Sequence, residues 1–352
     1  MNEEICDIEF DSNSTSVVNT MSNDYEWIDL HHHLIPSFYV KALAEKEITE
    51  LSGVPIPTYE VEECLKDMDK VGIDKAILSI PASGLGINGN GFFRDLARST
   101  NSFLAEVVRE HPTRFGALAS IPLPNIDAAF TELEFAMDEL HLDGVVLLSN
   151  ADGMYLGDPE LEDFFAELNR RRAVVFIHPD DPPFADMKKP DVPVVHIEWP
   201  FDTTRAVANM VYSGVLDRYK NIRFILPHGG GTVPYLAWRI SILEYRQRDK
   251  IKKLRSLYDL ILKKQGPATG LKLLKNMYYD TTAVTTPSSL RTLKELLEPS
   301  HIVLGTDLGA APLLMAKLVL SDLKSSEVFD EGDLGVIARK GALELFPRFE
   351  SI

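Results

Sequence analysis

Five side chains in this sequence have the types and positions to hold a transition metal. His31 and His33 stand two apart in Asp29-Leu30-His31-His32-His33. In an extended strand that spacing turns both imidazoles to one face and His32 to the other. His178 closes the run AVVFIHP, His228 follows RFILP, and Asp307 closes HIVLGTD, so each falls at the C-terminal end of a strand-like segment. Three neutral imidazoles and a carboxylate suit Zn²⁺, and the same nitrogen and oxygen set accepts Mn²⁺, Fe²⁺ or Co²⁺. Taking His31, His33, His178 and Asp307 as ligands leaves His228 free as an acid or base. A single strand-end histidine is ordinarily structural; the recurrence is what points to a site. His32 is assigned to packing or to support behind the ligands. His111, His141, His196 and His301 fall at helix ends or in loops and read as solvated.

Positioning these residues requires strands that end together. From Tyr25 onward, β-branched runs alternate with segments of helical period, the pattern of a parallel α/β sheet. The runs are 27–34, 75–81, 114–123, 144–150, 173–179, 223–230, 276–283 and 301–308. Between them lie amphipathic stretches such as YEVEECLKDMDKVG, NIDAAFTELEFAMDELH, DPELEDFFAELNRRR and PSSLRTLKELLE. Eight strand–helix units predict a (β/α)8 TIM barrel, followed by an extra C-terminal helix, GDLGVIARKGALELF, with the candidate ligands on the face where barrel enzymes keep their sites. Two connections read as long loops, 35–57 and the proline-rich 180–200, and suggest a lid.

Composition bounds the function. With 352 residues, 45% hydrophobic and 25% charged, the chain reads as globular, with residues 1–24 a disordered acidic tail and 25–352 a single domain. The start of the chain lacks the features of a signal peptide, and nowhere do about 18 apolar residues run uninterrupted, so no membrane span is expected. A net charge of −17 disfavours nucleic acid and anionic membrane as partners. Two cysteines, Cys6 and Cys64, allow neither a disulfide framework nor a four-thiolate zinc site, consistent with a reducing, cytoplasmic setting. Gly84-Leu85-Gly86-Ile87-Asn88-Gly89 matches a dinucleotide fingerprint, but the region about 20 residues on is a helix rather than a second acidic-ended strand. It reads as a flexible loop. The basic run KIKKLRS reads as a solvated helix face.

The pattern Asp29-Leu30-His31-His32-His33 with Pro36, FIHP at 176–179, HGGG at 228–231 with Pro234 and Arg239, and LGTD at 304–307 resembles the amidohydrolase-2 family. The likeness runs in order from about 25 to 347. MDKVGIDKAILS, DGMYLGD, FDTTRA and YYDTTA look nearest the 6-methylsalicylate decarboxylase branch, beside the aminocarboxymuconate semialdehyde and γ-resorcylate decarboxylases. The resemblance implies a metal-dependent hydrolase type of barrel with His31, His33, His178 and Asp307 as ligands and His228 as the catalytic histidine. Leu148-Ser149-Asn150 stands where binuclear relatives carry a carbamylated lysine, which implies one divalent metal per chain, zinc first. Arg239 matches a position that crosses a dimer interface to hold a substrate carboxylate, implying a homodimer; Arg205 is a second candidate for substrate binding. The implied reaction is non-oxidative decarboxylation of a hydroxybenzoate-type or unsaturated carboxylic acid, the proton arriving from Asp307 or from water oriented by His228, without an organic cofactor. The alternative is mononuclear hydrolysis of a lactone, amide or related bond on the same ligands.

Overall fold

The computed structural model describes residues 25–81, 91–183, 192–242 and 268–350. The acidic tail, the Gly84–Gly89 loop and the KIKKLRS run lie outside the described residues. The eight expected runs form eight parallel strands: β1 (Ile28–His33), β2 (Lys75–Ser79), β3 (Phe115–Ser120), β4 (Gly144–Leu148), β5 (Val174–His178), β6 (Arg223–Leu226), β7 (Tyr278–Asp280) and β8 (Ile302–Val303), hydrogen-bonded in chain order. Beyond β8 the chain closes the ring onto β1. Leu30 N donates to Leu304 O at 2.9 Å, and Asp307 N to His31 O and His33 N to Leu308 O at 2.8 Å each. These short strands are buried on both faces, which is why they read as continuous apolar runs rather than alternating ones.

The helices that wrap the ring are α1 (Ser37–Ala44) and α2 (Val61–Val71) after β1, α3 (Gly91–Glu110), α4 (Ile126–Glu134), α5 (Glu162–Arg171), α6 (Val194–Ser213), α7 (Val233–Ser241), α8 (Pro287–Leu296) and α9 (Leu313–Lys324). Their starts follow local chemistry. The Asn125 side chain accepts from Ala128 N at 3.0 Å at the head of α4, and Thr286, followed by Pro287, caps α8. The expected C-terminal helix is helical over 331–345, passing through a π turn at Val336–Lys340. Among the described residues, no helix is long and apolar enough to cross a membrane.

Both long-loop readings need correction. Residues 35–57 contain α1 and an antiparallel hairpin, Glu50–Leu51 with Val54–Pro55. The second half of 180–200 is the start of α6: Pro193 is the residue before its first turn and Pro200 sits inside it. Prolines signal a break in a sequence, but one before a helix costs no hydrogen bond, and packing can outweigh the loss of one bond within. Residues 184–191 of the expected lid lie outside the described residues.

Candidate metal centre and its cavity

Strand ends place the candidate ligands. β1 carries His31 and His33 inward, while a register shift between Asp29 and His32 interrupts its pairing with β2. The ring nitrogens of His31, His33 and His178 lie within 4.8 Å of one another, and so do ligand atoms of His31, His228 and Asp307. All five expected residues are thus brought together, in two overlapping triads that share His31. His228 and Asp307 both have positive φ, 52° and 60°. His and Asp tolerate this region better than most residues, and such strain concentrates at functional sites. The glycines after His228 let β6 end in a tight turn; at Gly231 (φ 61°) a Cβ would fall 2.1 Å from the Pro200 carbonyl of α6.

The hydrogen bonds behind the rings determine where their lone pairs point. Asp280 Oδ2 accepts from His31 Nδ1 at 2.6 Å, and the Pro179 carbonyl accepts from His178 Nδ1 at 2.8 Å. Both partners only accept, so both histidines carry the proton on Nδ1 and a lone pair on Nε2. His33 Nδ1 pairs with Ser79 Oγ at 2.9 Å. His31 Nε2 and His33 Nε2 are 3.2 Å apart, and Asp307 Oδ1 lies 3.3 and 3.1 Å from them without a hydrogen bond among the described residues. Buried lone pairs facing one another repel unless a cation or a proton lies between them. The donor set therefore fits a single metal ion.

The charges around the rings favour a proton on His31 alone among these histidines. Burial alone would lower His31, but Asp307 and Asp280 beside it push its pKa up to about 10. Burial raises and the His31 and His33 neighbours lower Asp307, which they hold well below the usual carboxylate range. Burial, with His33 and His31 adjacent, lowers His178 strongly; burial, with His31, lowers His228. His228 Nδ1 has no hydrogen-bond partner among the described residues.

Above the rings opens a cavity of about 470 Å³ lined by His178, His228 and Asp307 at the metal end and by the 51–57 hairpin, α6 and α9 elsewhere. Trp199 of α6 stands against His178 (5.5 Å between ring centres) and His228 (6.4 Å), its Nε1 donating to Ser52 Oγ at 3.1 Å. Neither arginine lines this cavity. α7 buries Val233, Ala237, Ile240 and Ser241, so Arg239 falls on the outward face and is exposed. Arg205 lies 3.6 Å from both Glu198 and Asp202 on its own helix. Ser149 and Asn150 are likewise engaged: both donate to the buried carboxylate of Asp202, Asn150 at 2.8 Å.

Two of the histidines read as solvated are not simply that. His196 is exposed but lines the cavity, and His301 is half-buried, stacked on Tyr278 at 4.8 Å. Sequence reasoning missed Asp280, Ser79 and Trp199. Asp280 left a signal: a carboxylate closing β7 at the level of the other strand ends.

The Amidohydrolase family profile matches residues 28–329. Decarboxylase macB of Penicillium terrestre is 34% identical over 337 residues, covering 92% of this chain and 95% of that protein. The 6-methylsalicylic acid decarboxylase of Penicillium expansum is 31% identical, covering 92% and 97%. Among solved structures, a dihydroxybenzoic acid decarboxylase from Polaromonas sp. JS666, with bound manganese and the inhibitor 2-nitroresorcinol, superposes with a TM-score of 0.74 at 22% identity, covering 92% of this chain and 97% of that one.

Proposed function

Because the chain belongs to the Amidohydrolase family, we propose that it is a metal-dependent decarboxylase acting without an oxidant on a hydroxybenzoate-type aromatic, or related unsaturated, carboxylic acid. The observation that carries this reading is the convergence of His31, His33, His178, His228 and Asp307 at the end of one cavity, in a chain similar along 92% of its length to decarboxylases. The same ligands could serve a hydrolase, and the relatives' chemistry is what favours carbon–carbon cleavage.

His31, His33, His178 and Asp307 would hold one divalent ion, zinc first on this donor set, with manganese, iron or cobalt accommodated by the same atoms. Bound there, the ion supplies Lewis acidity to a carboxylate and its neighbouring hydroxyl. Asp280 and Pro179 keep the proton of His31 and His178 on Nδ1, away from that point. His228, held neutral by burial, can hold or pass a proton, and Asp307, held as a carboxylate, must collect one before giving it. In the reaction the bond from the ring carbon to the carboxyl group breaks, its electron pair stays on the ring, a solvent-derived proton takes the vacated position and CO₂ leaves. Redox balance is kept.

We read Arg239 as the carboxylate clamp of a neighbouring subunit in a cytoplasmic homodimer built from one domain, 25–352. Its support is the outward face of α7, where Tyr235 is 84% and Trp238 48% exposed beside it. Arg205, 3.6 Å from Glu198 and Asp202 on its own helix, is the second candidate for substrate binding and would have to leave those carboxylates to act as one. Mixing Arg239→Ala with His228→Ala protein is expected to restore partial activity through hybrid dimers; no rescue despite subunit exchange would confine Arg239 to its own chain. For the reaction itself, turnover of 2-hydroxybenzoates in D₂O is expected to release CO₂ and leave one deuterium on the vacated carbon, with no ¹⁸O taken from H₂¹⁸O. Enzyme-dependent ¹⁸O in the product would establish hydrolysis instead.

A further inference from the structure

The cavity is larger and greasier than a simple hydroxybenzoate needs. Its volume of about 470 Å³ holds roughly sixteen waters at about 30 Å³ each. Among the described lining residues polarity is confined to the metal end, two threonine hydroxyls, the Trp199 N–H bonded to Ser52, and the exposed imidazole of His196 on α6. His178, His228 and Asp307 form the metal end, while the hydroxyls of Thr282 and Thr306 are already bonded to Asp280 and Asp29. No lysine, arginine, glutamate or amide side chain is among the described lining residues. The wall away from the metal is Leu51 and Val54 of the hairpin and Met315 and Val319 of α9, with Val195 and His196 of α6 on its other side. That wall also leads outward: Val54 is 43% and Met315 38% exposed while lining the cavity, and Leu314 and Leu318 continue the apolar strip on α9 at 65% and 44%.

A ring anchored at the metal end by its carboxylate and hydroxyl would leave this wall facing its remaining edge. On the side formed by the hairpin and α9, away from His196, polar substituents would lose water without gaining a side-chain partner among the described residues, whereas alkyl groups would shed apolar surface into a matching lining. We propose that the substrate carries an alkyl chain of several carbons on its ring, lying between the 51–54 hairpin and α9, with Val54 and Met315 as specificity-determining contacts. This rests on the decarboxylase reading. Each methylene taken out of water is expected to tighten binding about fourfold.

The test is a series of salicylates bearing hydrogen, methyl, propyl or pentyl at ring position 5 or 6, with a carboxyl-terminated chain of pentyl length, assayed on the metal-loaded protein for kcat and KM and by calorimetry for binding. KM is expected to fall two- to fourfold per carbon in at least one of the two series, and the charged chain to lose at least tenfold against pentyl. Met315→Glu, a change at a partly exposed position, is expected to raise KM for the pentyl compound at least tenfold more than for salicylate, with Val54→Asp as the independent second variant. Equal KM across both series, or exclusion of the longer chains, would overturn the proposal while leaving the decarboxylase reading intact. Tighter binding with chain length but no CO₂ from any member would overturn that reading and keep the apolar site. Absence of binding by any member would overturn both.

Discussion

Consecutive histidines on β1 meet opposite fates on the two sides of the strand. On the outer side, His32 is fully satisfied. Its Nδ1 lies 3.0 Å from Asp29 Oδ2 and its Nε2 3.2 Å from Cys64 Sγ of α2, while Asp29 also accepts from Thr306 N at 3.1 Å and Thr306 Oγ1 at 2.5 Å. On the inner side, His31 and His33 are each held from behind through Nδ1, and their Nε2 atoms converge on each other and on a carboxylate oxygen that has no hydrogen-bond partner among the described residues. Residue type and burial are the same on both sides. What differs is whether the hydrogen bonds close. A closed network holds the barrel together; an open one, deep in a cavity, asks for an ion.

The strongest way to break that contrast is to remove inner-side residues. His178→Ala is expected to lose metal and activity together. His228→Ala is expected to keep most of its metal while losing at least about a hundredfold in turnover, the usual scale for a general acid or base. Metal content by elemental analysis beside turnover separates the two; an emptied His228→Ala site would exchange the roles assigned to His178 and His228. One step further out, Asp280→Asn keeps the shape but weakens the acceptor for His31 Nδ1. Metal affinity is expected to fall about 10- to 100-fold, measured by chelator competition, with the fold retained. An unchanged affinity would mean that Asp280 does not orient the ligand.

The outer side predicts a different readout. Asp29 is fully buried and takes four donors: the two from Thr306, His32 Nδ1 and His31 N. Asp29→Ala strands those donors, and the expected cost is about 3–5 kcal/mol of stability, read by denaturant unfolding. Because Asp29 also holds the backbone of Thr306, next to Asp307, some loss of metal affinity should follow. A large drop in metal affinity without loss of stability would show that the two sides are not separable in this way.

How much of this was legible depends on how local each cause is. The strands and their histidines were readable because the period of a strand dictates which neighbours share a face, and a parallel barrel puts all strand ends at one rim. Asp280 and Ser79 stayed hidden because their role exists only in the closed ring, where the side chain of Asp280 reaches His31 from β7, beyond β8, and Ser79 meets His33 from the neighbouring β2. The arginines are a different case: a helix gives no sign in sequence of which outward residues meet a substrate or a second subunit, so Arg239 could be assigned only through the resemblance. Pro200 misled because a local breaker signal was outweighed by tertiary packing, in a helix whose Pro200 carbonyl meets Gly231.

The smallest expected effect concerns charge on the outer side. Burial alone would lower His32, but the Cys64 sulfur and Asp29 carboxylate beside it push its pKa up to about 10. A histidine raised above its unfolded value of about 6.5 stabilises the fold fully below that pH and progressively loses the contribution as pH climbs towards 10. The unfolding free energy of the wild type minus that of His32→Gln, which keeps a polar group but cannot take the charge, should therefore be largest near pH 6 and shrink steadily between about pH 6.5 and 10. A difference that stays flat across that window would mean His32 is neutral when folded, and that the outer network closes through hydrogen bonds alone.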